Sequence, residues 1–142
     1  MSDNDMPNPK LLIVEDNNDR IETLTRFLEP NYSLSFAKNS EDGVKEIADH
    51  PFDVAIIDWR LPFDKSSVPE PGGGVRVMQE INERHPSVPV IITYSWDTPE
   101  EIRKHVSVLK SLNIAGILEK PLLLDELADS IRNALPKAGV AG

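Results

Sequence analysis

Apolar runs in this chain end repeatedly on charged side chains. The first run ends on Glu15 and Asp16, a central run ends on Asp58, and the last is followed closely by Lys120. Carboxylates that meet at one point repel one another, so they either raise a pKa or bind a cation. Oxygen ligands without histidine or cysteine favour Mg²⁺, and a carboxylate beside that ion can attack a phosphoryl group, whose oxygens a lysine would neutralise. These residue types therefore indicate Mg²⁺-dependent phosphoryl chemistry centred on Asp58.

A purely structural interpretation of the same residues competes with this one. An acid after an apolar strand commonly caps a helix or lies in a loop, and Lys120 would then only neutralise neighbouring acids. We favour the reactive site because it requires a suitable charged residue at every one of these strand ends, and each of them carries one.

The elements that must position these residues are strands and helices in alternation. Residues 11–14 and 54–57 are unbroken apolar runs, typical of strands buried on both faces, whereas residues 32–37 alternate and predict an edge strand. Residues 88–93 and 114–118 complete the five strands. Each strand is followed by a helix with apolar residues at helical spacing, and the helices start near Asn17, Ser40, Val75, Thr98 and Asp125.

That order predicts an α/β fold of the flavodoxin-like, doubly wound (βα)5 type. Repeated β-α units give a five-stranded parallel sheet with right-handed crossovers and helices on both faces. In the strand order 2-1-3-4-5 the first and third strands are neighbours, and ligands bind where the order reverses. Glu15, Asp16 and Asp58 would then converge at one edge of the sheet.

The segment 60–74 is the least regular part of the chain. It contains prolines, serines and the run Gly72–Gly74, and we expect a long loop whose glycines provide flexibility. The glycines lack the lysine and hydroxyl residue of a phosphate-binding loop. We expect Trp59 and Trp96, which lie beside the site in sequence, to be packed or half-buried. The histidines have no ligand spacing and are assigned no chemistry: His50, His85 and His105.

Composition limits the possible functions. The 142 residues suffice for one domain, and the absence of cysteine excludes disulfides and thiolate metal sites. With 24 acidic against 15 basic residues, the formal charge of −9 would repel nucleic acid and anionic lipid. No apolar run approaches the ~20 residues that span a bilayer, and the first residues do not resemble a secretion signal. We therefore expect a cytoplasmic protein that binds neither nucleic acid nor membrane.

In this order, the motifs resemble the receiver domain of bacterial two-component response regulators. The resemblance rests on four short stretches: Leu11–Asp16, Ile56–Asp58, Leu61–Pro62 and Lys120–Pro121. It covers residues 10–136, and we expect a disordered leader over residues 1–9 and a flexible tail over residues 137–142.

The resemblance implies a role for each motif residue. Asp58 would be the phosphoacceptor, and Mg²⁺ would be bound by Glu15, Asp16, Asp58 and the backbone carbonyl of Arg60. Lys120 would contact the phosphoryl group and help to signal its arrival. The donor would be a histidine kinase or a histidine phosphotransfer protein. A separate downstream protein would provide the output, because we expect no attached effector domain.

Two positions depart from the family's pattern. The hydroxyl residue that responds to phosphorylation in the family falls on Tyr94, with Thr93 and Ser95 on either side, and we favour Thr93 because it closes the strand. The family's aromatic switch residue falls on Ile117, so the usual coupling of hydroxyl to aromatic ring cannot operate here. The loop 60–74 is also longer than is usual in the family.

The sequence thus predicts a stand-alone receiver of the chemotaxis-regulator kind. We expect a phosphoacceptor signalling protein and not an enzyme, with self-catalysed phosphotransfer and slow autodephosphorylation. One alternative is a pseudo-receiver, a protein-binding module that works without phosphorylation. Another is an enzyme of the haloacid dehalogenase kind, but such enzymes carry a second aspartate at the position that Arg60 occupies here.

Overall fold

The computed structural model of the protein describes residues 8–135. In this range five strands alternate with five helices, as predicted, and two additional short strands lie between the third of these strands and the third helix. The strands are β1 Lys10–Val14, β2 Ser33–Ala37, β3 Val54–Asp58, β4 Arg60–Leu61, β5 Glu70–Pro71, β6 Pro89–Tyr94 and β7 Asn113–Glu119. The helices are α1 Asn18–Leu28, α2 Ser40–Asp49, α3 Gly73–Arg84, α4 Pro99–Val106 and α5 Leu124–Ala134.

The main sheet has five parallel strands in the order β2-β1-β3-β6-β7. Counted along the chain without the two short strands β4 and β5, this is the predicted order 2-1-3-4-5, so the flavodoxin-like fold is confirmed. All five residues of β3 are buried, as an unbroken apolar run at the centre of a parallel sheet requires. Strand β2 lies at the edge and alternates in exposure until its last residue, as its sequence indicates.

Two apolar cores cover the two faces of the sheet. One core packs β-strand residues against α2, α3 and α4, and the other packs the opposite face against α1 and α5. Because side chains alternate along a strand, each central strand contributes to both cores. The sheet is therefore held rigidly from both sides, and its carboxyl edge is the part left free for chemistry.

Side-chain caps fix where three of the helices begin. The side chains of Asn17, Asn39 and Thr98 accept hydrogen bonds from first-turn backbone amides of α1, α2 and α4 at 3.0, 2.7 and 3.2 Å. Helices α1 and α4 therefore begin where the sequence predicts, directly after Asn17 and Thr98. Ser40, which we expect to start α2, is the first residue of that helix, and its cap is the preceding asparagine.

The segment 60–74 is more ordered than its sequence indicates. Strands β4 and β5 pair as a short antiparallel ladder within it. The carbonyl oxygens of Pro62 and Phe63 accept hydrogen bonds from the backbone amides of Ser40 and Glu41 at 2.9 and 3.0 Å. The loop therefore satisfies amide groups at the start of α2 that the helix itself leaves unpaired.

The glycine run provides close packing, so the prediction of a flexible glycine loop is wrong. Gly72 has a φ of 79°, in the left-handed region that glycine tolerates best. Gly73 and Gly74 form the first turn of α3, where a Cβ on Gly73 would overlap the carbonyl oxygen of Leu61 and one on Gly74 that of Asp58. Glycine is needed here because helix α3 starts directly against the backbone of the site.

The two tryptophans have opposite environments. Trp59 is 2% exposed and packs in the core of α2, α3 and α4, as predicted. Trp96 is 89% exposed, which contradicts the prediction that it is packed or half-buried. Its φ of 75° also places it in a left-handed conformation that is costly for a side chain with a Cβ.

Most of the predicted leader over residues 1–9, and the whole predicted tail over residues 137–142, lie outside the described residues. Between residues 8 and 135, no helix has both the length and the hydropathy needed to cross a bilayer.

We predict that Gly74→Ala destabilises the protein by roughly 1–3 kcal/mol, the usual cost of forcing an extra methyl group into a filled space. Gly116→Ala is the matched control, because the nearest atoms to its new Cβ would be 3.8 Å away. We expect the control to change the free energy of unfolding by no more than about 0.5 kcal/mol. Urea unfolding measures both, and equal effects would contradict the packing role of Gly74.

Candidate functional site

Three carboxylates meet at the carboxyl edge of the sheet. Glu15 and Asp16 follow β1 and Asp58 ends β3, and these two strands are hydrogen-bonded neighbours. One oxygen from each of the three side chains lies within 4.8 Å of the others. Glu15 and Asp58 are buried and Asp16 is half-buried. The convergence predicted from the strand order is therefore present.

Lys120 follows β7, the edge strand on the other side of β6, and its side chain extends into this cluster. Its Nζ lies 2.6 Å from Oδ2 of Asp58 and 3.0 Å from Oε1 of Glu15. The side chain is only 6% exposed. Its backbone amide donates a hydrogen bond to the carbonyl oxygen of Tyr94 at 2.7 Å, which fixes the residue directly after β7. A buried ammonium group therefore joins the ends of β1 and β3.

Arg20 is a member of the site that the sequence analysis missed. Its Nε donates to Oε1 of Glu15 at 2.9 Å, and the backbone amide of Asn17 donates to Oε2 of the same carboxylate at 3.1 Å. A basic residue in the first turn of a helix is unfavourable for the helix dipole, where acids are preferred. That unusual placement is the signal in the sequence that could have identified Arg20.

The carboxylates have different protonation behaviour. Burial, and then the charge of Glu15, raise the pKa of Asp58 to about 7, although the ion pair with Lys120 opposes this shift. Burial would also raise the pKa of Glu15, but the hydrogen bonds from Arg20 and Lys120 outweigh it and hold the pKa below its usual value. Burial and the neighbouring Glu15 raise the pKa of Asp16. Asp58 and Asp16 therefore keep their protons to a higher pH than free carboxyl groups do, whereas Glu15 ionises more readily.

This donor set fits a magnesium ion. Carboxylate oxygens are the hard ligands that Mg²⁺ prefers, and one or two of them commonly suffice alongside water molecules. Glu15 already accepts hydrogen bonds from Arg20, Lys120 and the backbone of Asn17. Asp16 has the greater unused capacity of the two adjacent acids.

Thr93 and Tyr94, two of the three residues considered for the switch hydroxyl, lie on opposite faces of β6, and Ser95 follows the strand. Thr93 is paired with Asp58 in the parallel ladder and is 2% exposed. It lies two residues after Ile91, which packs in the core of α1 and α5. Tyr94 points to the opposite face and packs in the core of α2, α3 and α4, while Ser95 lines an open cleft. Thr93 therefore shares a sheet face with Asp58, and Tyr94 does not.

Arg60 and Ile117 complete the predicted set. Arg60 lies two residues after Asp58, and its Nε is 3.1 Å from Oδ2 of Asp97 in the loop before α4. Ile117 is partly buried against the core of α2, α3 and α4. An aliphatic side chain thus fills the position where the family's pattern has an aromatic ring.

A cleft of about 560 Å³ opens beside Lys120. Arg20 and Trp96 stand on its walls, and apolar residues including Pro121 and Leu122 line much of the rest. The cleft borders the side of the cluster where Lys120 lies.

Comparison with known proteins identifies the class. A family model described as the response regulator receiver domain matches residues 11–132. The chain belongs to that family. Receiver domains are signalling phosphoacceptors and not enzymes in the usual sense; as a family they bind Mg²⁺ in an acidic site and interact with histidine kinases and output domains.

A curated relative extends this comparison. The chain is 29% identical over 131 residues to the response regulator protein PilR of Pseudomonas aeruginosa. The match covers 92% of this chain but only 27% of PilR, so the chain spans about a quarter of that relative's length.

Solved structures share the fold. The signal receiver domain of an HD domain-containing protein from Pseudomonas fluorescens has a TM-score of 0.73 at 23% identity, over 89% of this chain and 94% of that one. The receiver domain of a sensor histidine kinase from Pseudomonas aeruginosa has a TM-score of 0.68 at 19% identity, over 89% of this chain and 97% of that one. The second structure has a magnesium ion coordinated in its active site cleft.

The raised pKa of Asp58 predicts a specific pH dependence of stability in EDTA. Between the ordinary value of 3.8 and about 7, the folded protein binds more protons at this residue than the unfolded chain does. The contribution of Asp58 to the free energy of unfolding therefore falls as the pH rises through this range. Asp58→Asn has no ionisable group at this position and does not lose stability in this way. The free energy of unfolding of Asp58→Asn minus that of wild type should therefore rise by on the order of 2 kcal/mol between pH 5 and pH 8. Urea unfolding at several pH values tests this, and a difference that does not change with pH would contradict it.

Proposed function

We propose that Asp58 accepts a phosphoryl group from a histidine kinase or a histidine phosphotransfer protein, in a Mg²⁺-dependent reaction. The observation that supports this most strongly is the convergence of Glu15, Asp16 and Asp58 around the buried Lys120. The proposal includes a cytoplasmic location and a separate output protein that recognises the phosphorylated form. It also includes self-catalysed transfer and slow autodephosphorylation.

Charge balance supports a divalent cation in the site. With every group ionised, the three carboxylates carry one more charge than Arg20 and Lys120 neutralise. Phosphorylation would add a further −1.5 to −2 or so. A bound Mg²⁺ would neutralise charge as the phosphoryl group is transferred and would help to hold it in line with the attacking oxygen. In the proposal the ligands are Asp16, Asp58, the carbonyl of Arg60 and, directly or through water, Glu15.

Each of the protein's own side chains would have a separate role in this transfer. Asp58 attacks phosphorus through a carboxylate oxygen, and the bond from phosphorus to the donor's imidazole nitrogen breaks. Lys120 is paired with Asp58 in this structure, and in the reaction its ammonium group would contact the phosphoryl oxygens. Arg20 would hold Glu15 in place through its hydrogen bond to Oε1. Thr93 is the proposed switch hydroxyl because it shares a sheet face with Asp58.

The pseudo-receiver is the second candidate function. The observation that favours it is the burial of Tyr94, whose ring packs away from Asp58 in the position that a hydroxyl residue holds in the family's pattern. Such a module would bind its partner without any change at Asp58. Phosphorylation assays separate the two candidates.

We predict that incubation with acetyl phosphate and Mg²⁺ adds one phosphoryl group to the wild-type protein, measured by intact mass. Asp58→Asn should abolish the gain, because the amide is not a nucleophile of comparable strength. Asp49→Asn is the matched control, since Asp49 is exposed on α2, and it should be phosphorylated like wild type. EDTA should prevent the gain in every variant.

A folded protein that gains no mass from acetyl phosphate should then be tested with a phosphorylated histidine phosphotransfer protein. Failure with both donors would contradict the proposal and favour the pseudo-receiver. A gain of mass in Asp58→Asn would place the phosphoryl group on another residue.

The ligand set makes a separate prediction. Asp16→Asn should weaken Mg²⁺ binding at least about tenfold, which corresponds to 1.4 kcal/mol, because a carboxylate ligand is replaced by a neutral amide. Asp49→Asn should leave the affinity unchanged. Isothermal titration calorimetry measures both dissociation constants, and an unchanged affinity in Asp16→Asn would exclude Asp16 as a ligand.

A further inference from the structure

The carboxylate of Glu15 is almost fully occupied by hydrogen bonds from the protein itself. Its Oε1 accepts from Nε of Arg20 at 2.9 Å and from Nζ of Lys120 at 3.0 Å, and its Oε2 accepts from the backbone amide of Asn17 at 3.1 Å. A carboxylate has about four acceptor positions, two on each oxygen. One position, on Oε2, is therefore left for an ion or a water molecule.

Of these three donors, Arg20 is the one that can leave Glu15 at the lowest cost. The side chain of Lys120 is 6% exposed and also pairs with Asp58, so its movement would break two buried contacts. The amide of Asn17 belongs to the backbone turn that begins α1. The side chain of Arg20 is 44% exposed and stands on the wall of the cleft, where water would solvate the released guanidinium.

The first turn of α1 builds Arg20 into the site. The side chain of Asn17 accepts a hydrogen bond from the backbone amide of Arg20 at 3.0 Å, while the amide of Asn17 donates to Glu15. The helix gains nothing from a cation in this turn, because its dipole favours acids there. Burial lowers the pKa of the guanidinium, but the hydrogen bond with Glu15 and the charges of Asp58 and Asp16 outweigh burial and raise it. The carboxylate cluster therefore explains the placement of this arginine.

We propose that Arg20 is a built-in counter-ion that lowers the affinity of the site for Mg²⁺ by holding the carboxylate of Glu15. The inference rests on the magnesium ligands of the proposed function. A contact that stabilises the metal-free arrangement weakens metal binding by the same free energy, since the contact has to be given up when the ion is bound. Arg20 acts on the ion through Glu15 and is therefore a positioning residue. It sets the Mg²⁺ concentration at which the site fills.

Isothermal titration calorimetry of the whole chain with magnesium chloride tests this proposal. Arg20→Gln removes the positive charge, and Arg20→Ala is a second neutral variant whose side chain has no donor for Glu15. The matched control is Arg26→Gln, because Arg26 lies on the same helix, is 79% exposed and pairs with Glu22 outside the cluster. The control removes the same formal charge from α1, and circular dichroism checks that each variant is folded.

We expect both Arg20 variants to lower the Mg²⁺ dissociation constant about fivefold or more, which corresponds to about 1 kcal/mol, because Glu15 becomes available to the ion. Arg26→Gln should change it less than about twofold. As a second measurement, a fixed Mg²⁺ concentration should raise the Tm of both Arg20 variants by more than it raises that of wild type. A purely structural role for Arg20 predicts weaker binding in its variants, and weaker or unchanged binding would overturn the proposal.

The same titrations in a Glu15→Gln background separate an effect through Glu15 from simple repulsion between Arg20 and the ion. There, Arg20→Gln should produce less than half of the logarithmic change in the dissociation constant that it produces in wild type, because the carboxylate that it releases is no longer present. An equal change in both backgrounds would show repulsion alone and overturn the proposal. Loss of measurable binding in Glu15→Gln would support it, because the affinity would then depend on the carboxylate that Arg20 holds.

Failure of this inference and failure of the proposed function give different results. Wild-type protein that binds no Mg²⁺ would overturn the magnesium ligands of the proposed function, and this inference with them. Wild-type protein that binds Mg²⁺ and is phosphorylated by acetyl phosphate, together with Arg20 variants that bind the ion no more tightly, would overturn this inference alone.

Discussion

The site depends on a buried ammonium group that holds three strands together. Lys120 follows β7, yet its Nζ contacts Glu15 after β1 and Asp58 at the end of β3. Without that cation, the buried carboxylates would repel one another in a region that water screens poorly. Removing one partner of such a pair leaves an uncompensated buried charge, which is among the most costly defects in a folded protein. In the proposed reaction, the same cation that stabilises the resting site would contact the transferred phosphoryl group.

The surrounding structure leaves little freedom to the groups of the proposed reaction. The register of the sheet sets Asp58 beside Thr93, and the first turn of α3 lies against the carbonyl of Asp58 because Gly74 has no side chain. Arg20 fixes Glu15 from outside the cluster. Rigid positioning of this kind is the main contribution that a protein makes to phosphoryl transfer.

Much of the fold and site could be predicted because strong local signals agree with one another. The apolar run before Asp58, and the acids after β1, indicate both the strands and the groups at their ends. Features that depend on contacts between distant segments could not be predicted in the same way. Glycine runs occur both in flexible loops and at tightly packed positions. Only the close approach of α3 to Asp58 shows that Gly74 is a tightly packed position. The exposure of Trp96 likewise depends on a turn that its own sequence does not indicate.

A crystal structure of the protein with Mg²⁺ and beryllofluoride, a stable mimic of the phosphoryl group, would test the central claim most directly. The account predicts that beryllium is bound to a carboxylate oxygen of Asp58 and that Mg²⁺ is coordinated by Asp16, Asp58 and the carbonyl of Arg60. It also predicts that Lys120 contacts the fluorine atoms. Beryllofluoride bound elsewhere, or a metal ion that contacts neither Asp16 nor Asp58, would contradict the account.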